Sequence, residues 1–228
     1  NAVLSIDNTM LVMQTGATIS ISDNASIIGT NAVITADTIT ITDAGYISAL
    51  DSQFSTTINA NVSWSCDGDL EVDRIILKLD LSLSPNCNLQ INNGEFDGQS
   101  IIPASSSLNV TSSLHISVID RGNPLLGALI EYQGVSYSTD QSGEVLIQAI
   151  ARQVNNQQDY TGSVETVLLS YNSYNEIISW DTSKPKSHQF IVSHIDVNEI
   201  NLGNTILDSV WSPYYLDSDW VVPQGHSL

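Results

Sequence analysis

Between residues 18 and 29 the chain reads TISISDNASIIG, and between residues 38 and 49 it reads TITITDAGYISA. In both stretches isoleucines alternate with hydroxyl residues, break at an Asp-containing turn, and resume. Superposed, Ile19 falls on Ile39, Ile21 on Ile41, Asp23 on Asp43 and Ile27 on Ile47. LSLSPNCNL, from residue 81, makes a third copy in which Leu81, Leu83 and Leu89 take the isoleucine places. A weaker one, ANVSWSCDG, starts at Ala60 with Val62 as its best inward residue. The starts at 19, 39, 60 and 81 lie 20, 21 and 21 residues apart.

Strict alternation puts β-branched residues on one face of a strand and hydroxyls on the other. Asp-Asn or Pro-Asn then turns the corner. A circuit of roughly 20 residues cannot bury its apolar face alone, but stacked circuits share one continuous core. The pattern therefore predicts an all-β chain that opens with a short parallel β-helix, a solenoid of about four circuits over residues 1–100. A β-sandwich built from hairpins is the rival, since its strands also recur at short intervals. It leaves the gapless repetition of whole phrases unexplained. In the 21-residue register Cys66 and Cys87 occupy the same position of neighbouring circuits. Stacked strands lie about 4.8 Å apart, within the separations a disulfide accepts. The pair is therefore expected to be oxidised, with two buried free thiols as the alternative.

After IIPASSSLNVTSS, residues 101–113, read as a Ser-rich linker, the period changes. LHISVID alternates, and RGNPLLGALIEYQG and YSTDQSGEVLIQAIA follow. Asp120, Gly122, Pro124, Gly127, Ala128, Ile130, Thr139, Asp140 and Gly143 match a strand ending in Asp, then G-x-P-[VL]-x-G-A-x-[VI] and T-D-x-x-G. Over these forty or so residues the chain resembles the carboxypeptidase regulatory-like, transthyretin-like family. That resemblance implies an Ig-like β-sandwich over residues 114–195, acting as a binding or spacer module. Further strands are expected at VETVLLSY, EIISW and HQFIV. Pro124 and Gly127 would shape the approach to a strand, and Asp140 would cap the turn that Gly143 completes.

Residues 196–228 form a connecting segment that ends VWSPYYLDSDWVVPQGHSL. DWVVPQGHSL is similar to DLSLSPNCNL, residues 80–89, with a one-residue shift at the turn. The phrase resembles the opening circuit of right-handed parallel β-helix domains in prokaryotic (archaeal or bacterial) cell-surface proteins. Tail and head, read in series, would be continuous solenoid sequence. The candidate self-assembly residues are Trp211, Tyr214, Tyr215, Trp220, Val221, Val222 and Leu228 in the tail, with Val3, Leu4 and Ile6 at the head. Neither terminus offers a polar cap, so both solenoid ends are expected to be open.

Charge narrows the partners. Of 228 residues, 25 are Asp or Glu and 6 are Lys or Arg, a formal net charge of −19. That balance disfavours nucleic acid and anionic membranes, both of which need clustered basic residues. No apolar run is long enough for a bilayer span, and NAVLSIDNTM lacks the basic flank and apolar core of a secretion signal. Few lysines and many Ser, Thr, Asn and Asp fit an extracellular, cell-surface location, where the sequons at Asn24, Asn61 and Asn109 could carry glycans.

Catalytic patterns are missing. His115, His188, His194 and His226 show no H-x-x-x-H or H-E-x-x-H spacing, and there is no G-x-S-x-G or P-loop. The acidic run Asp67, Asp69, Glu71 and Asp73 could supply the carboxylates of a polysaccharide hydrolase or lyase, with Arg74 or Lys78 as the base a lyase needs. Alternating acids along a strand are more simply its solvated face. No cofactor is expected; calcium at Asp140, Ser142 and Glu144 competes with a plain turn cap there. The sequence thus points to an extracellular structural or adhesive protein, not an enzyme, that joins copies of itself head to tail through C-terminal strand addition. The alternative is a β-helix protein that binds or degrades polysaccharide.

Overall fold

The computed structural model describes residues 2–42, 45–49, 55–120, 122–172 and 174–192, and every regular element among them is a strand. The segment 196–228, including all seven candidate tail residues, lies outside the described residues, as do His194 and His226. An incomplete first circuit holds β1 (Val3–Asp7) and β2 (Met10–Val12). Next come β3 (Thr18–Ile21), β4 (Ser26–Thr30) and the start of β5 (Val33–Ile41). The end of β5, then β6 (Tyr46–Ala49) and the start of β7 (Thr56–Trp64) make another. The end of β7 continues with β8 (Gly68–Asp73) and β9 (Ile75–Leu77), and then β10 (Leu81–Leu83), β11 (Cys87–Asn92) and β12 (Glu95–Phe96) follow. Last are β13 (Ser100–Ile101) and the first half of β14 (Ser107–Asp120).

All these strands stack in parallel, a solenoid-like arrangement of about five turns. Apolar columns run through its interior on each of three faces. Ile19, Ile39, Val62 and Leu81 form one. Leu11, Ile34, Ile58, Leu77 and Phe96 form the second. On the third face the ladder is in two parts, Leu4–Ile27–Ile47 and then Leu70–Leu89–Leu108. Trp64 fills the interior beside Ile41 and is fully buried.

The corners have their own rule. Asn8, Asn31, Arg74 and Asn93, each following the strand of the third face, all have positive φ, between +46° and +52°. At the preceding corner Asn24 and Asn86 do the same. Asparagine tolerates the left-handed region better than other side-chain-bearing residues, and stacked corners also bond to each other: Asn31 Nδ2 donates to Asn8 Oδ1 at 3.1 Å.

Two expectations need correction. Val62, rather than Ala60, stacks on Ile39, so that circuit takes 23 residues, and Leu81 follows after 19. A slip of two residues keeps every side chain on its own face, so alternation cannot detect it. Cys66 and Cys87 are bonded, with Cα atoms 4.9 Å apart, yet they are not in register: Gly68 is the residue opposite Cys87. The bridge joins the turn after β7 to the start of β11 on a diagonal.

The segment 101–113, expected to be a linker, is strand from Ser107 onward. β14 alternates buried and half-buried positions almost to its end. Its first half lies on β11, with Leu108 and Val110 in the solenoid core. Its second half contributes Leu114, Ile116 and Val118 to a second core.

That second core is built from β15 (Asn123–Pro124), β16 (Leu129–Tyr132), β17 (Val135–Ser138), β18 (Glu144–Val154), β19 (Asp159–Thr161), β20 (Val164–Tyr171), β21 (Tyr174–Asp181) and β22 (Lys186–Ile191). β14, β18 and β22 belong to one sheet, and β17-β16-β20-β21 form another. Ile130, Tyr132, Ile147, Val167, Leu169, Ile178, Trp180 and Phe190, drawn from both sheets, pack into one buried cluster. The strands anticipated at VETVLLSY, EIISW and HQFIV are β20, β21 and β22. Asp140 Oδ1 accepts the amides of Ser142 (2.8 Å) and Glu144 (3.0 Å), capping the turn. Gly143 completes it at φ +71°. Thr139, fully buried, donates to the Leu125 carbonyl and accepts the Ala128 amide, which ties the loop before β16 to the turn.

Two outcomes follow. Replacing both cysteines (Cys66→Ala with Cys87→Ala) should cost about 3 kcal/mol for a loop of this size, read as a lower Tm, and non-reducing peptide mapping should find the two residues linked. Gly143→Ala should destabilise by about 1–3 kcal/mol from backbone strain alone. Its Cβ would also stand 2.5 Å from the Val118 carbonyl oxygen, and denaturant titration would measure the loss.

Candidate assembly surface

Inward columns ought to be buried along their whole length, and at the N-terminal end they are not. Ile27, Ile34 and Ile39 are at most 3% exposed, whereas Leu4, in register above Ile27, is 48% exposed. Leu11 and Ile19, above Ile34 and Ile39, are half-buried. Of the three head residues singled out from sequence, only Ile6 is covered; Val3 and Leu4 are open. Met10, Val12 and Met13 add exposed apolar surface beside them. Sequence reasoning passed over these three because β2 is too short to show a period. Among the described residues, β1, β2 and β3 pair on one side only, with β4 and β5. The opposite edges present backbone N–H and C=O groups, a template for another strand.

The other end differs from expectation. β18 runs antiparallel along β14, pairing Leu108 with Val154 and Val110 with Arg152, and it places Ala151 and Val154 in the solenoid core. β19 pairs with β18 in turn. On this face the C-terminal end is covered, because the chain returns as a hairpin-like strand where sequence suggested an open edge.

Asp67 precedes β8, and the rest of the acidic run, Asp69, Glu71 and Asp73, lies on the outer face of that strand as part of an amide–carboxylate grid. Asn88 Nδ2 donates to Asp69 Oδ1 at 2.8 Å, Asn92 Nδ2 to Glu71, and Asn93 Nδ2 to Asp73 Oδ1 at 3.2 Å. Asp73 also pairs with Arg74. Asp67, Asp69 and Glu71 are exposed. Asn24 and Asn61 are exposed as well, whereas Asn109 is half-buried and its Nδ2 donates to Gln90 Oε1 at 2.7 Å. Of the histidines, His115 stands 3.5 Å from Glu144, in a cleft of about 800 Å³ that Arg74, Asn93, Asp140 and Lys186 also line. His188 pairs with Glu176 at 2.9 Å. The cap holds Asp140 Oδ1 against two backbone amides.

A charge network fixes the second core to the solenoid. Lys78, after β9, lies 2.5 Å from Glu95 and 2.8 Å from Asp97. Lys184, in the turn between β21 and β22, approaches the same carboxylates at 3.4 and 3.9 Å. Burial pushes the Asp97 carboxyl up, but hydrogen bonds with Lys78 and Glu95 and the charges of Lys78 and Lys184 outweigh it, leaving it below 3.8. Burial likewise lowers Lys78, and its hydrogen bonds and charge pairing with Asp97 and Glu95 carry it above 10.5.

A depressed carboxyl stabilises the fold above its unfolded pKa, and the contribution disappears as pH falls through the folded value. A raised ammonium stabilises below its unfolded pKa and loses that effect as pH rises through the folded one. The network is therefore fully formed at neutral pH. Thermal melts of the wild type should lose stability on acidification below the ordinary carboxyl range, and Asp97→Asn should flatten that acid limb while lowering Tm at pH 7.

No protein-family model, curated protein or solved structure matches this chain, so no residue inherits a role from a relative.

Proposed function

We propose that this is an extracellular structural protein, a subunit or repeat unit of a surface filament or layer, joined head to tail by C-terminal strands that complete a neighbouring β-helix. One observation carries this: the interior columns at the head are exposed at Leu4 and half-covered at Leu11 and Ile19, and among the described residues the strand edges there are unpaired. Such an end binds a strand through main-chain hydrogen bonds, with alternate side chains setting the register. A tail that leaves one subunit and enters the next makes a heterologous contact, which yields rings or open filaments. The Cys66–Cys87 bridge fits an oxidising compartment. No helix among the described residues is long and apolar enough to cross a membrane.

The second core supports a carboxypeptidase regulatory-like spacer module. The Asp140 cap, Gly143 and the buried Thr139 occupy the places that the family phrase assigns to a turn between strands. Asn24 and Asn61 have the exposure that a glycan requires.

Comparison of the full chain with one ending at Asp208, by electron microscopy and light scattering, tests the assembly. The full chain should form end-to-end polymers and the shortened chain should not. Trp211, Trp220 and their neighbours each bring about 1.5–3 kcal/mol when fully buried, so their loss should abolish assembly at micromolar concentration. Identical polymers from the shortened chain, or a full chain that stays monomeric at high concentration, would show that the tail is not the connector.

A further inference from the structure

From the circuit that the tail repeats, we infer which strands receive it and in what register: Tyr214–Leu216 adds to β2 and Trp220–Val222 adds to β3 of a second copy. This step rests on the assembly function proposed above. Aligned without a gap, Tyr214–Gly225 falls on Ile75–Asn86, the stretch that forms β9, a corner, β10 and the next corner. The inward residues of that stretch, Ile75, Leu77, Leu81 and Leu83, are all buried. Their counterparts are Tyr214, Leu216, Trp220 and Val222. The corner residue Asn86 has φ +64°, and its counterpart is Gly225, which adopts that conformation freely. With Gly225 there, the one-residue shift that the sequence comparison called for is unnecessary.

The columns then fix the partners. Leu77 belongs to the column that Leu11 heads, and Leu81 and Leu83 to those headed by Ile19 and Ile21. A strand with the pattern of the tail therefore sets Leu216 over Leu11, Trp220 over Ile19 and Val222 over Ile21. Those three sites lie on the unpaired edges of β2 and β3, and two of the three residues are only half-buried.

Hydrogen bonding agrees. The Leu81 amide donates to Gln99, the residue before its partner in the following circuit, and Val62 does the same toward Asp80. By that rule the Trp220 amide donates to the Thr18 carbonyl. The Ser84 amide points the other way, to Trp64 of the preceding circuit. Pro223 stands at that place, so its missing N–H faces away from the receiving edge, where a proline is tolerated. Beyond Val222 the next strand position is held by the receiving chain's own β1, so the addition comprises two strands.

Outward residues provide the test. In this register Val221 lies over Ser20, which is exposed, at a spacing a disulfide accepts. The 228-residue chain carrying Ser20→Cys and Val221→Cys should, on mild oxidation, give a ladder of covalent multimers on a non-reducing denaturing gel. It should do so several-fold more efficiently than Ser20→Cys with Asp219→Cys, which is two residues out of register. Equal cross-linking of both pairs, or none in a preparation that still forms polymers by electron microscopy, overturns the register and leaves head-to-tail assembly standing. A cross-link confined to monomers keeps the register but shows the tail covering its own solenoid, and that overturns the second copy as its occupant.

Discussion

One strand, β14, ties the solenoid to the second core. Along β14, Leu108, Val110, Ser112, Leu114, Ile116 and Val118 all point to the same side, as a period of two demands. The first two close the solenoid, and the last three seed the second core. Ser112, fully buried at the crossover, donates its hydroxyl to the Thr182 carbonyl at 2.5 Å, which satisfies the one polar side chain in the series. β18 follows β14 on its far edge through both regions, with an irregularity between Val110 and Thr111. A break in this alternation would uncouple two cores at once, so neither behaves as a module on a loose tether. The Lys78–Glu95–Asp97–Lys184 network reinforces the same joint from another side.

The solenoid itself depends on corners as much as on columns. Apolar residues at alternate positions favour a strand but do not tell it where to turn. Asparagines with positive φ at successive corners supply that instruction, and Arg74, which stands in the same place, meets a conformation that bulky side chains disfavour. An Asn-rich composition is thus partly a backbone requirement. The outward faces then carry the acids, and Asn88, Asn92 and Asn93 donate to them. This spreads a large negative charge over hydrogen-bonded rows without bringing cations into the interior.

Much of this was legible in the residues. Ile19 on Ile39, Ile21 on Ile41 and Ile27 on Ile47 are observed pairs, and the later strands stand where alternation placed them. Three features were not legible, each for a physical reason. The two-residue slip at Val62 preserves every facing, so it carries no hydrophobic signal. The serines and threonines of residues 105–113 resemble a linker in composition, yet Ser107, Thr111 and Ser113 are the outward members of an alternating strand. The cover that β18 gives the solenoid pairs residues about 45 apart in sequence, a distance over which local patterns say nothing. At the head, Val3 and Leu4 were visible as candidates from their character alone. That Leu11 and Ile19 share the opening became apparent only once the columns were traced.

The position of β18 also orders events during synthesis. Parallel circuits contact their neighbours at separations near 20 residues, so each can stack soon after it emerges, in the nearest-neighbour manner of repeat proteins. β14 is different: until Val154 has been made, its far edge lacks its partner. A ribosome adds about 5–20 residues each second, so the forty-odd residues between them leave a seconds-long interval in which a finished stack of circuits ends in an uncovered strand. A nascent chain is most exposed to mispairing in that interval, and a chaperone that shields strand edges would be most useful to it then.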